Sequence, residues 1–168
     1  LSAQGNNLNS IDLSKNPDLT QIILNHNNLS SMNLTNQADL KVLWIRYNNL
    51  SSLDLKENKK LTQIIISHNN LSSIDLSNQP DLELLWIASN NLSSLDLTNN
   101  PNINYVIARD NKFTTQKVDK ILLDILESVE DNPREGNLYL TNNAQPSDEG
   151  LNTKNKLINN YGWDVKTD

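Results

Sequence analysis

Leu8, Leu29, Leu50, Leu71 and Leu92, followed by Phe113, are each separated by 21 residues, and the register never slips. A fixed period of this length means a stack of equal supersecondary units. No single unit can bury its own apolar residues, so each must press against the next, and a solenoid results. The unit beginning at Leu40 reads L-K-V-L-W-I-R-Y-N-N-L-S-S-L-D-L-K-E-N-K-K. Others start at Leu19, Leu61 and Leu82, and a further one starts at Ile103 and loses its tail. Residues 1–18 align with the end of a unit, so the chain begins inside a repeat.

The alternation around Leu43 and Ile45 is that of a strand, with Leu43 and Ile45 directed inward and Val42, Trp44 and Arg46 outward. Asn6, Asn27, Asn48, Asn69, Asn90 and Asn111 recur where the chain leaves the strand. A buried amide at that point satisfies turn groups of its own and neighbouring units, so the column is structural. On the opposite side Leu53 and Leu55 return the chain with Asp54 projecting between them. Ser-Ser, Asn and Pro content favours turns or a short second strand there, with little helix.

The first half of each unit matches L-x-x-L-x-L-x-x-N-x-L, and in this the chain resembles the leucine-rich repeat family over about residues 1–115. The 21-residue length, with D-L-[ST]-x-N-P-x-L joining the copies, is similar to the short repeats of bacterial surface and secreted proteins. The resemblance implies an α/β leucine-rich repeat solenoid with a parallel concave β-sheet. It also implies partner binding on that face and an extracellular or cell-surface setting. The chain starts at Leu1 with no initiator Met and no signal-like segment, so a processed or excised product is expected, with any signal outside it.

After Phe113 the period changes. Val118, Ile121, Leu122, Ile125, Leu126 and Val129 follow helical spacing, with Thr114 or Thr115 as N-cap and Pro133 beyond the end. Asn137–Thr141 reads as a strand with the L-x-L-x-x-N core of one more repeat. A second helix is expected over about Ser147–Asn160 with Gly162 at its C-cap, then a short strand at Trp163–Val165. Residues 1–115 are thus expected to form the repeats and 116–168 a C-terminal helix and strand cap of the same domain, resembling the closing elements of bacterial repeats. A solenoid needs such a cap to keep its last core layer dry.

The formal net charge of −6, without a run of Lys or Arg, leaves no footprint for nucleic acid. Apolar runs such as Ile64–Ile66 are far shorter than the roughly 20 residues a membrane-spanning helix needs. No cysteine is present, which excludes disulfides and thiolate zinc sites. His26 and His68 stand two repeats apart, roughly 10 Å at the usual strand spacing, too far to share a metal. They read as polar surface residues. The column Asp12, Asn33, Asp54, Asp75 and Asp96 lacks the glycine-rich context of calcium solenoids and reads as a solvated turn face. Asn-x-Ser/Thr sequons recur at Asn28, Asn33, Asn49, Asn70 and Asn91 as by-products of the repeat text. No nucleophile motif or phosphate loop occurs, so no cofactor and no enzyme activity is expected.

The informative feature is the outward centre of the concave sheet, where one residue per repeat gives Ser2, Ile23, Trp44, Ile65, Trp86 and Ile107. This position should be wet, and a row of Trp and Ile there is an apolar stripe of the kind that marks interfaces. Gln21, Val42, Gln63, Leu84 and Tyr105 flank it on one side, and Asn25, Arg46, Ser67, Ala88 and Arg109 on the other. Tyr47, His26, His68 and Asp110 lie at the strand exits. The expected partner site comprises Ile23, Trp44, Ile65, Trp86, Ile107, Arg46, Tyr47, Tyr105 and Arg109, taking a protein or peptide. Two alternatives remain open, a glycan stacked on the Trp faces and a structural or adhesive spacer that dimerises through this face. Units alternate in type, those at Leu19 and Leu61 sharing L-T-Q-I-I and those at Leu40 and Leu82 sharing L-W-I, so a repeat pair is the duplicated element. Duplication alone copies Trp44 into Trp86, whether or not both are selected.

Overall fold

The computed structural model describes residues 1–168. Seven parallel strands of three residues each form one sheet in sequence order. β1 is Gln21–Ile23, β2 Val42–Trp44, β3 Gln63–Ile65, β4 Leu84–Trp86 and β5 Tyr105–Ile107. Helix α1 (Thr115–Asp131) precedes β6 (Asn137–Tyr139), and helix α2 (Asp148–Tyr161) precedes β7 (Asp164–Lys166). Each strand pairs in register, Ile22 with Leu43, Leu43 with Ile64, Ile64 with Leu85 and Leu85 with Val106. The fixed 21-residue period causes this, because equal units can stack only with like positions opposed. The inward residues Leu43, Ile45, Leu85 and Ile87 are completely buried.

The convex return consists of turns, not a second strand. At the start of each turn Asp12, Asn33, Asp54, Asp75 and Asp96 accept a hydrogen bond through Oδ1 from the backbone N–H two residues on, at 2.9–3.0 Å. This column is therefore a row of side-chain turn caps. Hydrogen bonding to Ser14, Ser77 and Thr98 holds the carboxyls of Asp12, Asp75 and Asp96 below the usual range.

Two amide ladders run the length of the repeats. Asn48 Nδ2 donates back to Leu24 O and to Ile45 O in its own repeat, while Asn48 Oδ1 accepts from Leu29 N. Asn27, Asn69, Asn90 and Asn111 make the same three contacts, each 21 residues on. Asn143 continues the column with Ala108 O, Leu140 O and Phe113 N. A second, fully buried column passes through Gln37, Asn58, Gln79 and Asn100 at the end of the convex turn. Its amides reach back to Leu13 O, Leu34 O, Leu55 O and Leu76 O at 2.8–3.0 Å.

Beyond β5, α1 replaces the convex turn. Val118, Ile121, Leu122, Ile125, Leu126 and Val129 are buried, as their spacing predicts. Thr114 occupies the N-cap position without a side-chain bond. A buried carboxylate, Asp124, also lies on this helix, where it accepts from Leu97 N and pairs with Lys120. In α2 Ser147 caps the first turn by accepting from Gly150 N, and Gly162 ends the helix in the left-handed conformation (φ 69°). Trp163 is buried and Val165 points into the core, so the last strand lies one residue later than its sequence predicts. Trp163 Nε1 donates to Arg134 O, and the Arg134 guanidinium donates to Ile103 O and Ser128 O. A single apolar cluster extends from Leu13 to Val165.

Candidate functional site

The sheet register brings the centre column together as Ile23, Trp44, Ile65, Trp86 and Ile107, paired across neighbouring strands. Ser2 joins its N-terminal end by an isolated bridge to Ile23. Two further positions, Tyr139 and Lys166, extend it through β6 and β7. The concave row is therefore two strands longer than the repeat text and ends in polar groups. Lys166 Nζ lies 4.5 Å from the centre of the Tyr139 ring. The Tyr139 hydroxyl donates to Asp164 at 2.7 Å, which holds Asp164 low and raises the phenol.

The row is drier than its outward direction suggests. Ile107 is only 7% exposed, against the expectation of a wet position, and Ile23, Trp44, Ile65 and Trp86 are half-buried. Large side chains one strand apart touch one another, so each shields its neighbour from water. The flanking column is drier still, since Asn25, Ser67 and Ala88 are buried while Arg109 is exposed. Asn25 Oδ1 accepts from Arg46 N, and the Ser67 hydroxyl donates to Trp86 O.

Arg46 is not a rim residue. Its guanidinium lies 5.8 Å from the Tyr47 ring centre and 6.0 Å from that of Trp86, two strands away. The small Ser67, two residues past the intervening strand, leaves room for this reach. The Arg46 Nε–H and the Trp44 Nε1–H are both buried without an acceptor. Two unpaired donors thus belong to the second repeat, one on β2 and one just beyond it, where the concave face also carries a cation. On the other flank Tyr105 packs edge-on against Tyr139 with ring centres 6.5 Å apart.

At the strand exits the residue before each ladder asparagine has a positive φ. Gly5, His26, Tyr47, His68, Ser89, Asp110 and Asn142 all fall between 54° and 68°. Glycine alone takes this conformation freely, and a side chain there costs about 1–2 kcal/mol. His26, Tyr47 and His68 consequently project in parallel and form one stack. Ring centres are 4.4 Å and 4.1 Å apart with interplanar angles of 14° and 6°. The two histidines are thus the outer members of an aromatic row, not separate surface residues. Partial burial, with the charges of Arg109, Arg46 and His26, holds the His68 pKa below its ordinary value, opposed by Asp110.

The sequence alone does not reveal three features: the ring stack, the second amide ladder, and the span of Arg46 over Ser67. The ladder has a visible signal, an Asn or Gln every 21 residues from Asn16 to Asn100.

No family model matches the chain, and no curated protein matches it. Solved structures do resemble it. The functional domain of InlJ from Listeria monocytogenes aligns over 100% of this chain and 34% of its own, at TM-score 0.80 and 24% identity. That domain includes a cysteine ladder, whereas this chain has no cysteine and its columns are amides. The leucine-rich repeat domain of APL1B aligns over 87% of this chain and 42% of its own (TM-score 0.60, 21% identity). Internalin InlF from L. monocytogenes aligns over 90% and 48% (TM-score 0.59, 16% identity). This chain spans about a third of the InlJ domain and under half of the other two. In its architecture, with a parallel sheet, an asparagine ladder and a helical C-terminal closure, the chain is a leucine-rich repeat solenoid.

Proposed function

We propose that the protein is a non-catalytic binding module that takes a protein or peptide partner on its concave face. The observation that carries this is the continuous row Ile23, Trp44, Ile65, Trp86 and Ile107, with the Arg46 guanidinium over Trp86. Large apolar side chains with an arginine and unpaired N–H donors have the make-up of an interface centre. Tyr47, Tyr105 and Arg109 border it. A sugar stacks on an open aromatic face, and here Trp86 already carries the Arg46 guanidinium while Trp44 is half-buried. Protein is therefore favoured over glycan. The InlJ and InlF likeness supports an extracellular or bacterial cell-surface setting, and no helix is long and apolar enough to cross a membrane.

The test is a combined peptide and glycan array probed with the wild-type chain and with Trp44→Ala/Trp86→Ala. Because both rings are half-buried, each substitution should cost about 2.5 kcal/mol of stability, from roughly 100 Å² of lost burial at 25 cal/mol/Å². Affinity should fall by a hundredfold or more, since a central aromatic anchor is typically worth about 2 kcal/mol. A folded double variant that retains its array ligands at full affinity removes the row as the site. Light scattering on size-exclusion fractions separates the remaining reading, because a concentration-dependent dimer would assign the face to a second copy.

A further inference from the structure

The exit column reads His26, Tyr47, His68, Ser89 and Asp110 in five consecutive units. Three rings stack at an even spacing of 4.4 Å and 4.1 Å, and at the next position the ring is replaced by a hydroxymethyl group. Repeating the stack spacing once more would set a fourth ring over the half-buried Ser89, against the outer face of the His68 imidazole. The far wall of that position is the Asp110 carboxylate, whose Oδ1 accepts from Asn142 Nδ2 at 2.6 Å and whose Oδ2 lies 3.6 Å from Arg109 Nη1. The Arg109 guanidinium beside that carboxylate also acts on His68, helping to hold its pKa low.

Charge selects among the planar groups that could enter. Arg46 lies over the neighbouring Tyr47 and Arg109 stands beside Asp110, so two guanidinium groups border the slot against one already paired carboxylate. A third guanidinium from a partner is disfavoured there. An uncharged ring is not, and carboxylates beside that ring meet Arg46 and Arg109, on a chain whose formal net charge is −6. The backbone strain points the same way. Glycine would relieve it, as at Gly5, yet the three units before Ser89 keep rings in this conformation.

We propose that the place over Ser89, between His68 and Asp110, is a slot for an aromatic side chain belonging to an acidic segment of the partner protein. The slot lies beside the Trp and Ile row and shares Arg46 with it, and it rests on the reading of the protein as a partner-binding module. An incoming ring continues the existing stack as its fourth member, offset from His68 as stacked aromatic pairs prefer.

The chain has two histidines, so their imidazole protons give a simple NMR readout, assigned with His68→Gln. The probes are Ac-Glu-Tyr-Glu-Glu-NH2, the same peptide with alanine for tyrosine, and Ac-Lys-Tyr-Lys-Lys-NH2. The acidic tyrosine peptide should move the His68 signals upfield by ring current and leave those of His26, two positions away, nearly unmoved. The alanine and lysine peptides should bind at least tenfold more weakly. Ser89→Tyr should shift His68 upfield without peptide and weaken the acidic peptide at least tenfold, and Ser89→Gly should preserve binding. Should Ser89→Tyr fail to fold, His68→Gln, which removes one wall, must weaken the same peptide. Equal binding of the three peptides, or undiminished binding by both His68→Gln and a folded Ser89→Tyr, overturns the proposal. Trp44→Ala is expected to leave this binding intact, so the slot and the central row fail independently.

Discussion

Replacing Asn48 by alanine removes four hydrogen bonds but leaves a single group with no partner. Leu24 O loses Asn48 Nδ2 yet keeps Asn27 Nδ2 at 3.0 Å, and Ile45 O loses Asn48 yet keeps Asn69 Nδ2 at 3.0 Å. The weaker contact to Arg46 O, at 3.3 Å, also goes. Leu29 N, which donates to Asn48 Oδ1 at 3.0 Å, is left buried and unpaired. One orphaned buried N–H costs about 1–3 kcal/mol, so that is the expected loss for Asn48→Ala. Asn48→Asp keeps the acceptor for Leu29 N but turns a carboxylate oxygen toward two carbonyls, and should cost about 3 kcal/mol or more. Sharing of acceptors makes the sharper test. Asn48→Ala with Asn69→Ala strips Ile45 O of both side-chain donors, so the pair should exceed the sum of its singles by about 1 kcal/mol. Asn27→Ala with Asn69→Ala shares no acceptor, its donors going to Ala3 O and Leu24 O in one case and Ile45 O and Ile66 O in the other. That pair should be additive within about 0.5 kcal/mol. Urea unfolding of the six variants, four single and two double, measures all of this. Equal coupling in the two pairs, or an aspartate as stable as the alanine, refutes the shared-acceptor account.

Removal of residues 116–168 should expose Ile103, Val106, Ala108 and Phe113, all now buried, and make the repeats aggregate or unfold. A truncated chain that stays monomeric with a cooperative melt would make the C-terminal part an independent unit. Gly136→Ala should lower the melting temperature by the equivalent of about 2–3 kcal/mol, since its Cβ would overlap the backbone oxygen of Asn104 and stand 2.7 Å from the Trp163 ring. An unchanged melt would mean that this wall can move. Folding depresses the His68 pKa from 6.5, so the unfolded chain binds that proton more readily. Its contribution is therefore fully present above about pH 6.5 and lost as pH falls toward the lower folded value. His68→Gln should flatten that part of the stability curve, and an identical slope in the variant would contradict it.

The strands, the buried leucines and the asparagine column are legible because a 21-residue period repeats each inference at every unit, and a single mistaken residue cannot shift the register. The positive φ at His26, Tyr47 and His68 is not legible, since none of these residues advertises it as glycine would; only Gly5 does. Without that backbone turn the histidines look two repeats apart and unrelated, and the Tyr47 between them gives no hint that it joins them. The dryness of Ile107 is hidden for another reason. Alternation tells which way a side chain points, while exposure depends on the size of what stands beside it, here Trp86 and the Tyr139 of a strand outside the period. Asp124 was equally hidden, as a carboxylate on the apolar side of a helix becomes sensible only when Leu97 N is seen to need an acceptor.

Both amide columns face one way along the chain. Asn48 reaches back 24 residues to Leu24 O and receives from Leu29, and Asn58 reaches back 24 residues to Leu34 O. Each unit therefore completes the polar bonding of the unit made before it and asks nothing of those still to come except the same service. The solenoid is thus polar from end to end, and Ala108 O, at the end of the repeats, receives its second side-chain donor from Asn143 of the closing segment.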